Sequence, residues 1–176
     1  MSSHPSVRLG RNVYIDPTAY VSGDVTLGDD CTVMPQAVIR GDVAPIEIGS
    51  RVNIQDGAIL HCNVGDGLTI GDDVGIGHGA VVHCSRVDSH TLIGIRSVLL
   101  DKCTVGRDCI IAAGTILPPG TDIPDQTVVM GHPGRVVRST TDRDLAYISH
   151  VVESYLSLGR QHAAGRYPAF PPPQVP

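Results

Sequence analysis

From residue 19 onward the sequence is written in sixes. AYVSGD, VTLGDD, CTVMPQ and AVIRGD fill 19–42, IEIGSR, VNIQDG and AILHCN fill 46–63, and LTIGDD, VGIGHG and AVVHCS fill 68–85. After an irregular passage, TLIGIR, SVLLDK, CTVGRD, CIIAAG and TILPPG fill 91–120. The first position of each hexad is small or aliphatic, the third is nearly always Val, Ile or Leu, the fourth is often Gly, and the last two are mostly polar or Gly. Positions one and three lie on the same side of a short strand and point inward together. From position four the pattern reads as a turn in which Gly tolerates positive φ. Strands this short, each followed at once by a corner, stack into an all-β parallel β-helix. Three hexads make one triangular coil, and the hexads present suffice for five to six coils. Cys31, Cys103 and Cys109 all fall at position one and read as small core residues. The period leaves the hand of the helix open.

The pattern stops before residue 139. TDRDLAYISHVVESYLSLGRQHAAG, from Thr141, carries Leu145, Ile148, Val152, Tyr155 and Leu156 at helical spacing. Thr141 with Asp144 three residues later marks a start and Gly165 a stop. The expected organisation is a β-helix over 1–138, a helix within 139–165 packed on the β-helix or on a neighbouring subunit, and an extended Pro-rich tail over 166–176. A net charge of −5 with no basic run argues against nucleic acid. No apolar run approaches the ~20 residues of a membrane span and the N-terminus lacks a basic-then-apolar leader, so a cytoplasmic protein is expected. Five cysteines without a C-x-x-C pair argue against both a disulfide framework and a zinc knuckle.

The hexad frame places three histidines. His61 is position four of AILHCN and His83 position four of AVVHCS; their 22-residue separation is one coil plus the four-residue bulge VGDG. The two imidazoles therefore share a corner column one rung apart, roughly 4.8 Å between backbones. Arg40, position four of AVIRGD, extends the column by one rung. His78, position five of VGIGHG, stands one prism face away. Two imidazoles fall short of the three protein ligands common in catalytic zinc sites, and a third must come from a second copy in a threefold assembly. Cys62 and Cys84, beside the histidines, stack in the same way and are alternative thiolate ligands. Asn53, Gln55 and Asp56 lie one hexad before His61, and Asp42 lies two residues after Arg40. Such residues could orient ligands and hold bound water, although Arg40 and Asp42 could equally form an intersubunit salt bridge. His4, His90, His132, His150 and His162 lie outside the column.

RGD at 40–42, NIQD at 53–56, His61, and His78 through His83 in HGAVVH resemble the signature of γ-class carbonic anhydrases, in order and over nearly the whole chain. The resemblance implies a left-handed β-helix and a homotrimer with zinc, or iron, at each interface. It assigns the metal to His61, His78 and His83, the orientation of metal-bound hydroxide to Gln55, and support of that hydroxide or of substrate to Asn53. Arg40 and Asp56 would pair across the interface with Asp42 nearby, and Tyr155 is similar to a tyrosine that some members place over the metal. The implied reaction is hydroxide attack on carbon dioxide to give bicarbonate, made possible at neutral pH because the ion lowers the pKa of bound water to about 7.

One departure matters. The best-characterised members carry proton-transferring glutamates on an acidic loop, whereas here Asp42 is followed by Val-Ala-Pro and His61 by Cys-Asn. Two further readings stay open. One is an acyltransferase or thioesterase acting on acyl-CoA with a single histidine as general base; GHPGRVVR at 131–138 is compatible with both groups. The other is a non-catalytic, metal-stabilised trimeric binding protein.

Overall fold

Strands of two or three residues dominate residues 6–170, the part of the chain that the computed structural model describes. They stack in parallel on three faces of a left-handed β-helix. The first face carries Tyr14–Ile15, Thr32–Val33, Asn53–Ile54, Gly75–Ile76, Leu92–Ile93, Ile110–Ile111 and Thr127–Gly131. The second stacks six rungs, pairing Tyr20 with Val38, then Ile59, Val81, Val98 and Ile116. The third pairs 7–9, 25–27, 46–48, Leu68–Ile70, Arg86–Val87, Thr104–Val105 and Asp122–Ile123. The six rungs of the second face meet the upper end of the expected coil count, and the seven rungs of the first and third faces exceed it by one.

The inward positions behave as the hexads require. Val52 and Ile54, Ala58 and Leu60, Val74 and Ile76, Ala80 and Val82 are all buried, and so are Cys31, Cys103 and Cys109. Each buried Val, Ile or Leu contributes roughly 1.5–3 kcal/mol against an exposed reference. Polar residues at position one mostly reach a carbonyl, although the hydroxyl of Thr115, also buried, has no partner among the described residues. The Ser97 hydroxyl donates to Gly94 O at 2.8 Å, and that of Thr91 to Gly106 O at 3.0 Å.

The corners differ from the sequence expectation. Positive φ falls at position six, on Asp30, Gln36, Arg51, Asp73, Arg96, Lys102 and Asp108 as well as on glycines such as Gly57 and Gly79. Position-four glycines have a different cause. A Cβ on Gly94 would lie 2.5 Å from Ala113 N, and one on Gly28 2.6 Å from the Gly49 carbonyl carbon. Adjacent coils approach too closely there for any side chain to start in the inward direction.

The three faces present different surfaces outward. The third shows Arg8, Thr26, Glu47, Thr69, Arg86, Thr104 and Asp122, a solvated set. The second shows Tyr20, Val38, Ile59, Val81, Val98 and Ile116, an uninterrupted apolar stripe with Tyr20 58% and Ile59 42% exposed. The first is covered by the C-terminal helix, Asp142–Ala163.

Thr141 opens that helix with a capping box to Asp144, and Gly165, at φ 70°, follows the Ala164 cap. Ile148, Val152, Leu156 and Gly159 are the buried face. Gly159 lets the helix seat on Thr32, since a Cβ there would lie 2.2 Å from Thr32 Cγ2. His90 bridges prism and helix, its Nδ1 2.7 Å from Asp108 Oδ1 and its Nε2 2.9 Å from Ser149 Oγ. The helix thus packs along its own prism. Between the last coil and the helix, Gly134–Ser139 returns antiparallel against Thr127–Gly131, a hairpin that the hexads do not announce. Most of the Pro-rich tail, from 171 onward, lies outside the described residues. Among the described residues no helix is long and apolar enough to cross a membrane.

Gly94→Ala and Gly106→Ala are expected to destabilise the fold by about 1–3 kcal/mol through backbone displacement between coils. Equilibrium denaturation checks this, with wild-type-like stability of either variant as the contrary result.

Candidate metal centre

His61 and His83 follow Leu60 and Val82, which pair directly, so the ladder sets their rings side by side. His61 Nδ1 lies 3.1 Å from His83 Nε2, with ring centroids 5.2 Å apart. Two ligand bonds of ~2.0–2.1 Å spanning a tetrahedral angle separate their nitrogens by roughly 3.3 Å. The 3.1 Å spacing of the pair is close to that of two adjacent ligands on one tetrahedral ion.

Each of the three singled-out histidines has an aspartate. Asp42 Oδ1 is 3.1 Å from His61 Nε2, Asp101 Oδ1 is 2.7 Å from His83 Nδ1, and Asp56 Oδ2 is 2.9 Å from His78 Nδ1. Carboxylate partners of this kind fix the tautomer and orientation of a ligating imidazole. Arg40 Nη1 donates to Asp42 Oδ2 at 2.6 Å, and that bond, with a smaller contribution from His61, holds the Asp42 carboxyl below its usual range. Asp101 is also held low, first by Asn63 and then by His83. Asp101 was missed by the hexad reading. It stands at position five of SVLLDK, just past the rung above His83, where polar corner residues are commonplace and carry no signal of their own.

His78 does not join the other two. Its remaining nitrogen, Nε2, is 3.2 Å from the Tyr155 hydroxyl, and its side chain is 45% exposed against 18% for His61 and 25% for His83. Burial, and then the charge of Asp56, raise the Tyr155 pKa and keep the phenol protonated. Gln55 and Asn53 sit beneath the helix, both buried, with Gln55 Nε2 donating to Asn53 Oδ1 at 3.0 Å. Among the described residues Asn53 Nδ2 has no partner. In the single chain Arg40 pairs with Asp42 and Asp56 with His78, so the expected Arg40–Asp56 pair does not form within one copy.

The thiolate alternative fails on geometry. Cys62 and Cys84 turn into the core, 1% and 3% exposed, on the other side of the strand from the imidazoles. Burial pushes the Cys84 thiol up to about 12 and raises Cys62 as well. Among the described residues of one chain no group of three His, Cys, Asp or Glu side chains could hold a metal. Within one chain the imidazoles stand as a pair on one corner, His61 and His83, and as a single ring, His78, on another.

The family model for bacterial transferase hexapeptide repeats matches residues 6–41. A carbonic anhydrase of Geobacillus kaustophilus is 37% identical, with 89% of this chain aligned to 86% of that one. The mitochondrial gamma carbonic anhydrase 2 of Arabidopsis thaliana is 34% identical over 92% of this chain. The chain belongs to the γ-class carbonic anhydrase family. It spans about 60% of the length of the Arabidopsis relative. Among solved structures, a Bacillus cereus protein with a provisional acetyltransferase designation superposes with a TM-score of 0.88 at 32% identity, covering 91% of this chain and 93% of its own. A chain of the γ class and a structure described as an acetyltransferase thus share this prism.

Cys62→Ser and Cys84→Ser are expected to leave metal content unchanged while lowering stability by about 1–3 kcal/mol, the cost of a buried hydroxyl without a good partner. Elemental analysis alongside thermal melting checks both halves.

Proposed function

We propose that the protein is a carbonic anhydrase, hydrating carbon dioxide to bicarbonate at metal centres shared between copies of the chain in a trimer. The observation that carries this reading is the 3.1 Å approach of His61 and His83 on one corner, with His78 on a different corner beside Tyr155. In the proposed assembly His61 and His83 of one copy and His78 of the next hold one ion, zinc or ferrous iron. Such an ion, held by three neutral imidazoles, keeps its full charge and acidifies bound water to a pKa near 7. The apolar stripe supports the assembly. It flanks the His61–His83 corner, and six aligned apolar residues on an exposed sheet face call for a covering partner.

The chain's own groups divide the remaining work. Asp42 and Asp101 hold the paired imidazoles in place, and Asp56 does the same for His78. Gln55, anchored by Asn53, is fixed close to His78 on the neighbouring rung and presents its carboxamide where a reacting oxygen needs orientation. Tyr155 closes this polar cluster from the helix. Proton export is the weak step: the chain's two glutamates, Glu47 and Glu153, lie on the third face and on the helix surface. Slow hydration relative to faster members of the class is therefore expected.

A second reading, acyl transfer from acyl-CoA, draws on the likeness to the Bacillus cereus protein. It needs a single general-base histidine and leaves the His61–His83 pair without a purpose.

Elemental analysis after anaerobic purification is expected to give about one metal per chain, lost in His78→Ala. Sharing is tested by mixing: His61→Ala and His78→Ala chains, each inactive alone, should regain part of the metal and hydration after co-refolding. Absence of metal in wild type supplied with zinc would overturn the reading. Asp101→Asn should weaken metal affinity by roughly 10–100-fold. Gln55→Ala should retain metal while hydration, followed by stopped-flow pH indicator, falls by about 10-fold or more.

A further inference from the structure

A cavity of ≈ 390 Å³ lies between the helix and the first face, and His78, Gln55 and Tyr155 form one end of it. Its volume falls within the range that takes small organic ligands, roughly 300–1,000 Å³. That is far more room than carbon dioxide occupies.

The cavity has a definite origin in the repeat. At this corner the position-four residues stack as Met34, Gln55, Gly77, Gly94 and Ala112, because Val33, Ile54, Ile76, Ile93 and Ile111 pair rung by rung. The ledge of long side chains ends at Gln55, and from Gly77 upward the floor is nearly bare backbone. Gly77 and Gly94 are held to that size, since Cβ atoms there would lie 2.7 Å from Ile95 N and 2.5 Å from Ala113 N. The walls are largely apolar: Leu92, Ile95 and Ile110 from the prism, Val151 and the ring of Tyr147 from the helix. Ile95 is 49% exposed although it faces this trough.

The polarity is therefore concentrated at one end. The Gln55 carboxamide and the Tyr155 hydroxyl, beside His78, stand at the end nearest the proposed reaction centre and can hydrogen-bond a small anion's oxygens, while Tyr147 is the other hydroxyl-bearing residue of the lining. Asp56 engages the other nitrogen of His78. Bicarbonate is a carboxylate bearing a hydroxyl. A carboxylate bearing a hydrocarbon chain in place of that hydroxyl would put the same two oxygens at the polar end and its chain along the trough.

We propose that this cavity is a binding site for apolar monocarboxylates, with the carboxylate at the Gln55–His78–Tyr155 end and the hydrocarbon between Val151 and the Gly77–Gly94 floor. The proposal rests on the carbonic anhydrase reading for the placement of the carboxylate, and on the cavity alone for the chain. Occupancy would compete with bicarbonate, so that such acids act as product-site ligands.

Calorimetric titration of the purified protein, with its metal content measured, is the test, using acetate, butanoate and hexanoate. Affinity is expected to rise by about fourfold for each added methylene, as transfer of a methylene out of water requires. Val151→Phe, which fills the trough from the helix side, should weaken hexanoate binding by about tenfold or more while acetate binding stays within about twofold. Ala112→Leu fills it from the prism side and serves if the helix variant folds poorly. Equal affinity for the three acids, or hexanoate binding indifferent to both fillings, would overturn the proposal. Chain-length dependence in a preparation that neither holds metal nor hydrates carbon dioxide would uphold the cavity site and remove the carbonic anhydrase reading instead.

Discussion

The ladder of backbone hydrogen bonds between coils is the constraint on which everything else depends. Amides reach the carbonyl one coil away, as in Ile59 N→Ala80 O at 2.8 Å, His61 N→Val82 O at 3.2 Å and His83 N→Leu99 O at 2.9 Å. Once that ladder is set, residues at one hexad position are vertical neighbours whatever lies between them in sequence. The insertions at 43–45 and 64–67 do not break it: Val38 still pairs with Ile59, and Ile46 with Leu68. A separation of 22 residues thereby becomes a 3.1 Å contact between imidazole nitrogens.

The same ladder produces a shape whose faces need different treatment. A prism three strands around has too little interior to hide all its apolar residues, so position-two side chains must face outward. One face is polar and needs nothing, and one is covered by the helix, held by Gly159 against Thr32 and by the His90 bridge to Ser149. The remaining face carries the stripe from Tyr20 to Ile116 and lies directly beside the histidine pair. In the proposed assembly the surface that associates would also complete the site.

What could be seen in the sequence was what the ladder determines. The hexads gave the prism, the inward positions, the shared column of Arg40, His61 and His83, and the separation of His78 from it. The capping pair Thr141 and Asp144 gave the helix start; a place for Tyr155 near the histidines came only from the family resemblance, and the structure sets its hydroxyl 3.2 Å from His78 Nε2. What stayed hidden depends on side-chain direction or on small residues read for the wrong reason. Position-four glycines were attributed to positive φ, when close coil packing requires them and Asp, Arg and Lys at position six take the left-handed conformation. That misreading concealed the cavity, because a column of glycines chosen for packing also leaves a floor without side chains. Asp101 and the His90–Asp108 pair were hidden because an aspartate at a corner is unremarkable until the rotamer opposite is known.

The three His–Asp pairs bear on why the site should hold a cation at all. In the isolated chain Asp42, Asp56 and Asp101 are each about half exposed and each already bonded to an imidazole. Bringing a second copy onto the apolar face would draw these carboxylates toward a common, less hydrated region, where like charges disfavour one another and desolvation penalises each. A divalent ion held by the three imidazoles would reverse that balance, because every carboxylate would then face a positively polarised ring. Assembly without metal should accordingly be weaker than assembly with it, and metal held by one chain weaker than metal held by two. In the proposed assembly the donor set, the apolar stripe and the aspartates would be parts of one coupled equilibrium, in which the prism supplies the spacing and the interface would supply the missing imidazole.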